Sequence, residues 1–317
     1  MLPPMSSSAP SPGAPHERSS TPGFCRELCA SEPLAGTANP EVIRWVLLED
    51  GGPWGPKVPV DTALPQPVIE WLLARDAEPH TRVQLIRRPG SCPGSRRRLI
   101  LAEAHAHADQ RRLLELEVEL DELPSLDLDS LLAAAPVRPT LADLWLVCTH
   151  GTRDRCCAKW GMPIFEALCQ RDPDRVWQCS HLGGHRFAPT FLTLPGGLVW
   201  GRFDPARLDA LAQSLAAGQL GELEQLRGRC CYPRAVQAAE CLIRIRDEIA
   251  DDAGLELVAH ASAPDQPTQV EFRSATGDRL RVEVELSEVG FAAPASCGDA
   301  PERRTTLRLK PAVRTSS

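Results

Sequence analysis

Two stretches of sequence decide the architecture of this chain: LWLVCTHGTRDRCCAKWG at 144–161 and CSHLGGHRFAPTFLTLPGGLVWGRF at 179–203. The first opens on a short apolar run typical of a buried strand, and the second follows another such run at 176–179. The sequence patterns within and around these two stretches predict a loop over 151–158, a helix over 163–169, strands over 191–194 and 198–203, and a helix over 205–216. This alternation indicates an α/β domain.

Potential metal ligands stand in the loops that leave these strands. Cys148 and Cys157 are nine positions apart, and His181 and His185 are four positions apart around a Gly-Gly pair. Glycine lets backbone N–H groups approach an inorganic sulfide and adopts positive φ at little cost. Thiolate and imidazole donors suit either tetrahedral zinc or an iron–sulfur cluster. The nine-residue spacing exceeds the roughly two to four residues of a zinc knuckle, which favours a binuclear cluster.

Other cysteines are weaker candidates. Cys156 adjoins Cys157 and could replace it as a ligand, although adjacent side chains point in different directions. Cys25 and Cys29 have the i,i+4 spacing of one helix face, which leaves a second metal site open there. The remaining cysteines without a partner at diagnostic spacing are assigned no function: Cys92, Cys169, Cys230, Cys231, Cys241 and Cys297.

The region before residue 138 follows the same plan. Trp45-Val46-Leu47 falls 100 positions before Trp145-Leu146-Val147. A strand, a Gly/Pro loop, a helix and further strands are predicted there in the same order, at 42–48, 51–56, 67–74, 82–86, 98–102 and 112–120. An internal duplication would explain this similarity, with the ligands lost from the first copy, because Leu48 stands where Cys148 stands in the second.

Composition and pattern suggest four segments. Residues 1–22 are rich in Pro and Ser and are expected to be disordered. Residues 23–137 form the N-terminal α/β half, the candidate degenerate repeat, and residues 138–252 form the domain that carries the ligands. Residues 253–317 form a C-terminal β extension, because alternation over 280–286 predicts a strand of a small sheet.

The quoted stretches also carry a motif. Cys-Thr-His-Gly occurs at 148–151, Asp at 154, Cys-Cys-Ala at 156–158, and His-Leu-Gly-Gly-His-Arg-Phe-Ala at 181–188. In these letters the chain resembles the sucrase/ferredoxin-like family, and the resemblance extends over about residues 24–250.

The resemblance implies a thioredoxin-like ferredoxin fold and a 2Fe-2S cluster held by Cys148, Cys157, His181 and His185. It selects Cys157 over Cys156. By analogy with Rieske centres, both thiolates bind one iron and both imidazoles the other, which raises the reduction potential. One-electron reduction is expected to be coupled to protonation, because a bound imidazole keeps a proton on its remote nitrogen.

Two further motif residues have open roles. His150 is expected to be a turn residue that bonds to backbone, with a proton relay as the alternative. Arg186 is expected either to donate to a cluster sulfur or to face a partner protein. The word sucrase in the family name carries no weight, because no pair of carboxylates stands out as a glycosidase acid and nucleophile.

Composition excludes several classes. The 317 residues are 43% hydrophobic, enough for real cores, yet no apolar run approaches the roughly 20 residues of a membrane span. The N-terminus lacks the pattern of a secretory signal, so a cytoplasmic location is expected. A net charge of −7 argues against nucleic-acid binding. Twelve cysteines in a cytoplasmic chain indicate metal or redox chemistry.

The sequence therefore predicts an electron-transfer protein rather than an enzyme, one that serves an oxidoreductase system through an unknown redox partner protein. A duplicated chain could make the dimer pairing of related ferredoxins internally, which favours a monomer. Two alternatives stay open: a zinc-stabilised interaction module with the same four ligands, and a thiol redox protein that uses Cys156 and Cys157. The second is weakened because no Cys-x-x-Cys occurs.

Overall fold

The structure is a computed structural model that describes residues 23–91 and 94–310. The predicted disordered segment 1–22 and Cys92 lie outside the described residues. In chain order the elements are α1 (Cys25–Leu28), β1 (Arg44–Glu49), α2 (Gln66–Asp76), β2 (Thr81–Arg87), β3 (Arg96–Glu103), β4 (Arg112–Glu119), α3 (Leu128–Ala134), β5 (Ala142–Cys148), α4 (Arg155–Arg171), β6 (Val176–Cys179), β7 (Thr190–Pro195), β8 (Leu198–Gly201), α5 (Leu208–Ala216), β9 (Leu226–Arg229), α6 (Arg234–Arg246), β10 (Leu255–Ala261), β11 (Thr268–Ser274), β12 (Arg279–Pro294) and β13 (Pro301–Leu309).

Nine strands form one mixed sheet in the order β4-β3-β1-β2-β6-β5-β7-β8-β9. In the first half β1 pairs parallel with β2 and antiparallel with β3. In the second half β5 pairs in the same way with β6 and β7. The halves meet where β2 and β6 pair antiparallel. The α/β class is confirmed, and this topology is consistent with a thioredoxin-like fold; the duplication and the domain boundaries stay predictions.

The central strands are buried on both faces. Along β5, Leu146 and Cys148 join one apolar cluster while Trp145 and Val147 join another on the opposite face. This alternation follows from the two-residue period of a strand. The first of these clusters also includes Trp45 of β1, so a single core runs beneath both halves of the sheet.

A second sheet, β10-β11-β12-β13, is an antiparallel meander that packs on α6. Phe272 and Val282 of this sheet contact the apolar side of α6 around Val236 and Ile243. The loop between β12 and β13 reaches back to the start of α4. Within residues 23–91 and 94–310, no helix combines the length and apolar character that crossing a bilayer requires.

The main difference from the prediction is the start of α4. The sequence pattern places a loop over 151–158 and a helix from Pro163, because proline favours a first turn. In the structure α4 begins at Arg155, since the Asp154 side chain accepts a hydrogen bond from the Cys156 N–H and caps the helix. Pro163 therefore lies inside α4. Both vicinal cysteines thus belong to the first helical turn.

Candidate metal centre

The N-terminus of α4 positions the candidate ligands. Asp154 is the N-cap, and its Oδ1 lies 2.8 Å from the Cys156 nitrogen. Cys156 and Cys157 follow in the first turn, where the unpaired N–H groups and the helix dipole stabilise thiolates. Successive residues of a helix are rotated by about 100°. The two thiols therefore face two different groups of side chains.

The first group consists of Cys148, Cys157 and His181, whose ligand atoms all lie within 4.8 Å of one another. His181 Nδ1 is 3.9 Å from Cys148 Sγ and 3.6 Å from Cys157 Sγ. Both cysteines are buried, and His181 is half-buried. Gly161 permits this approach of α4 to the end of β5, because a Cβ there would overlap the Cys148 carbonyl oxygen.

A left-handed turn separates the two histidines. Gly183 and Gly184 have φ of 84° and 72°, in the region that favours glycine. The turn sets the rings of His181 and His185 at a centroid distance of 5.2 Å, with 33° between their planes. A side chain at Gly184 would also overlap the guanidinium of Arg227. The Gly-Gly pair thus brings both imidazoles to one place.

His185 itself faces a different set of groups. Its Nδ1 lies 3.3 Å from Cys25 Sγ and 3.3 Å from Asp154 Oδ2. Its Nε2 lies 3.0 Å from Ser296 Oγ, in the loop between β12 and β13. Of the four ligands expected from the sequence, the structure brings three together and places the fourth beside them with other polar contacts.

A second group lies on the other side of Cys156. It consists of Cys25, Asp154, Cys156 and Cys297, whose ligand atoms also lie within 4.8 Å of one another. The i,i+4 relation of Cys25 to Cys29 does not form a site, because Cys29 Sγ turns to the Pro294 carbonyl at 3.6 Å. From sequence alone, Cys297 is separated from its neighbours here by more than 130 positions, so no spacing signal could have found it.

In each group, the surrounding contacts lower the pKa of one cysteine and so favour its thiolate form. The contact with Cys157 lowers the pKa of Cys148 well below its ordinary value against the effect of burial, and His181 lowers it further. The contact with Cys25 likewise lowers the pKa of Cys156, although burial opposes it. The pKa of Cys157 is correspondingly raised, first by its hydrogen bond to Cys148 and then by burial. Buried thiolates attract metal cations, so both groups have the chemistry of a metal site.

Burial lowers the pKa of His185 to about 4 although Asp154 opposes the shift, so its imidazole is neutral at neutral pH. Burial alone would raise the pKa of Asp154, but hydrogen bonds from the backbone N–H groups of Cys297 and Cys156 lower it overall. The carboxylate is therefore ionised within this buried cluster. Neutral imidazole, thiolate and carboxylate are the protonation states that metal ligands require.

The other motif residues are engaged elsewhere. His150 Nε2 lies 2.8 Å from the Gly55 carbonyl oxygen, the backbone contact expected of a turn residue. The Arg186 Nε and Nη2 donate to the two carboxylate oxygens of Glu32 at 2.8 to 3.0 Å, and its role toward a cluster sulfur or a partner protein stays a prediction. This fork-like pairing is the preferred geometry of a buried Arg–carboxylate pair. It joins the loop that carries His185 to the segment after α1.

The fold and these groups define a mixed α/β protein with cysteine–histidine sites that can hold a metal. The sucrase/ferredoxin-like family model matches residues 38–228, more than half of the chain, and the protein belongs to this family. The family prediction from the motif is thereby confirmed. No curated protein and no solved structure matches the chain.

Proposed function

We propose that this protein is an electron carrier whose 2Fe-2S cluster is held by Cys148, Cys157, His181 and His185. The observation that carries the proposal is the convergence of the first three donors within 4.8 Å, with the centroid of the His185 ring 5.2 Å from that of His181. Two thiols and two imidazoles are the donor set of a Rieske-type cluster. When bound, such a cluster supplies one-electron redox chemistry at potentials above those of all-thiolate ferredoxins.

The surrounding residues fit this donor set. The thiols of Cys148 and Cys157 and the imidazole of His185 are buried, whereas His181 is half-buried and nearer solvent. The Gly183-Gly184 turn offers backbone N–H groups without side chains. Binding by His185 would replace either its contact with Ser296 or its contacts with Cys25 and Asp154. The fit is therefore direct for three donors and requires an exchange of polar contacts for the fourth.

His181 is the route by which electrons and protons would reach the surface. It borders a groove whose other ionisable lining residues are Lys57, Asp76, Arg82, His150 and Arg153. Three permanent cations outnumber the one carboxylate, so the net positive rim suits an acidic face of a redox partner protein. We infer a carrier rather than an enzyme, one that exchanges electrons with a reductase or an acceptor in the cytoplasm.

Zinc at the same residues is the second candidate. Three donors within 4.8 Å would also suit one tetrahedral ion, which would make the protein a zinc-stabilised interaction module. A thiol redox role for Cys156 and Cys157 has less support. Their sulfurs belong to opposite groups, and a disulfide between them would have to pull one thiol out of its group.

Metal and sulfide analysis separates these functions. Protein purified without oxygen is expected to be red-brown and to contain about two irons and two inorganic sulfides per chain. Reduction by dithionite should bleach the visible bands and produce the electron paramagnetic resonance signal of a one-electron-reduced binuclear cluster. A colourless protein with zinc at two sulfurs and two nitrogens, and no sulfide, would replace the carrier with the zinc module.

A further inference from the structure

We propose that Cys25, Cys156, Cys297 and Asp154 form a second metal site, one that binds a zinc ion independently of the proposed cluster. The three sulfurs form a nearly regular triangle, with Sγ–Sγ distances of 3.3 Å for Cys25–Cys156, 3.2 Å for Cys156–Cys297 and 3.6 Å for Cys297–Cys25. Asp154 Oδ1 stands against the triangle, 3.3 Å from Cys297 Sγ and 4.0 Å from Cys25 Sγ.

These distances favour a shared ion over a disulfide. Around tetrahedral zinc with Zn–S bonds of about 2.3 Å, sulfurs are about 3.8 Å apart. A disulfide would instead bring one pair to about 2.05 Å and exclude the third thiol. In this cluster all three Sγ–Sγ distances are short and differ little from one another. Three thiols and a carboxylate thus form the corners of a small tetrahedron.

Burial and charge indicate that a cation is needed. Cys25 and Cys156 are fully buried, Asp154 is 5% exposed, and Cys297 is partly buried. A buried carboxylate beside thiols that can ionise accumulates negative charge, which is costly unless a cation compensates it. The neighbouring cationic side chains point elsewhere: Arg155 and Lys159 lie over the ring of Phe24, and Arg26 over that of Trp160.

The donor set identifies the ion. Thiolates select zinc, copper(I) or iron–sulfur clusters, whereas a carboxylate ligand fits zinc better than copper(I). Four protein ligands and no open position describe a structural rather than a catalytic site. We therefore expect a closed zinc site with three sulfurs and one oxygen.

Such a site would join three distant parts of the chain. Cys25 lies in α1, Asp154 and Cys156 at the start of α4, and Cys297 in the loop between β12 and β13. Cys25 and Cys297 are separated by 272 positions, so the ion would close very long loops and remove entropy from the unfolded chain. It would also hold both terminal segments against His185, whose Nδ1 is 3.3 Å from Cys25 Sγ.

The experiment uses the full chain, purified without oxygen from cells supplied with iron and zinc. Elemental analysis should find one zinc per chain in addition to the iron. Zinc-edge X-ray absorption should show three sulfurs at about 2.3 Å and one oxygen at about 2.0 Å. The Cys297→Ser variant should lose at least nine-tenths of the zinc while its iron and visible spectrum remain. Cys169→Ser, on α4 but outside both groups, is the matched control and should retain both metals.

Three results would overturn the proposal. The wild-type protein could fold without zinc, or the Cys297→Ser variant could retain its zinc. The zinc-edge spectrum could also show two sulfurs and two nitrogens, which would place the ion at the proposed cluster site. A disulfide found between any two of Cys25, Cys156 and Cys297 in the anaerobic protein would also exclude the site. Failure of the cluster proposal has a different signature, the absence of iron and sulfide whatever the zinc content. If the Cys297→Ser variant does not fold, the zinc-edge X-ray absorption spectrum of the wild-type protein still shows whether zinc is bound by three sulfurs and one oxygen.

Discussion

Cys156 and Cys157 are neighbours in the sequence, yet their sulfurs belong to different groups of potential metal ligands. Cys157 Sγ lies 3.6 Å from His181 Nδ1, whereas Cys156 Sγ lies 3.3 Å from Cys25 Sγ and 3.2 Å from Cys297 Sγ. The first turn of α4 separates them, because consecutive helical side chains diverge by about 100°. One helix N-terminus thus directs two adjacent thiols into two different groups of potential metal ligands.

This divergence predicts opposite effects of two conservative substitutions. Cys157→Ser should lose most of the iron and visible absorbance and keep the zinc, because a serine hydroxyl is a poor substitute for a thiolate ligand. Cys156→Ser should keep the iron and lose the zinc. Metal analysis of both variants, prepared side by side, is the measurement. Equal loss of iron in both would mean that the two groups are a single site.

The imidazole ligands predict that the reduction potential depends on pH. His181 is half-buried at a groove, so its remote nitrogen can exchange protons with solvent when the cluster changes charge. Where one proton accompanies one electron, the potential should fall by about 59 mV per pH unit as pH rises. Potentiometric titration of the visible bands between about pH 6 and 10 measures this slope. The His181→Cys variant should have a lower reduction potential and a weaker pH dependence. If the potential of the wild-type protein does not change with pH over this range, His181 and His185 are not both ligands of the cluster.

The Gly-Gly turn predicts a test of site geometry. Gly184→Ala should destabilise the protein by about 1 to 2 kcal/mol from its positive φ alone, with a further loss from the overlap with Arg227. Iron content should fall as well, because the turn sets the distance between the two imidazoles. Gly277→Ala is the matched control, since its φ is 90° and its surroundings are open. It should lose stability and retain its iron; equal iron loss in both variants would contradict this role.

A buried ion-pair network predicts both a stability loss and its pH dependence. Asp252 pairs with Arg111 at 2.6 Å and with Arg229 at 2.8 Å, and both arginines are fully buried. Burial alone would raise the pKa of Asp252, but Arg229 and Arg111 lower it overall. Asp252→Asn should lower the free energy of unfolding by about 3 kcal/mol at neutral pH, because two buried guanidinium groups lose a partner.

The sign of the pH effect follows from the lowered pKa. The stability that Asp252 contributes is complete above its unfolded-state pKa of about 3.9 and is lost as pH falls through the lower folded value. The difference between wild type and Asp252→Asn should therefore be constant from pH 5 to 7 and shrink only below about pH 4. Denaturant titrations at several pH values measure it. Asp174→Asn, at an exposed pair with Arg88, is the control and should cost less than about 1 kcal/mol.

Much of this protein could be predicted from local sequence. The continuous apolar runs of β1 and β5 required strands buried on both faces, and the motif at 148–188 indicated the family and the first group of ligands. The shared order of strands in the two halves was visible as matching residues 100 positions apart. These features depend on residues close in the chain, where periodicity and spacing reflect geometry directly.

The second group could not be predicted in this way. Cys297 meets Cys156 only because the C-terminal sheet packs on α6 and returns the loop after β12 to the start of α4. Cys25 meets Cys156 because α1 lies beside α4, where the Phe24 ring contacts that of Trp160. The direction of His185 toward Asp154 likewise depends on how that loop and α1 surround it. Sequence alone identified the family motif and the first group of candidate ligands. Tertiary structure decided which further cysteines lie beside them, because contacts between residues more than 100 positions apart arise from the packing of whole elements and leave no periodic trace in the chain.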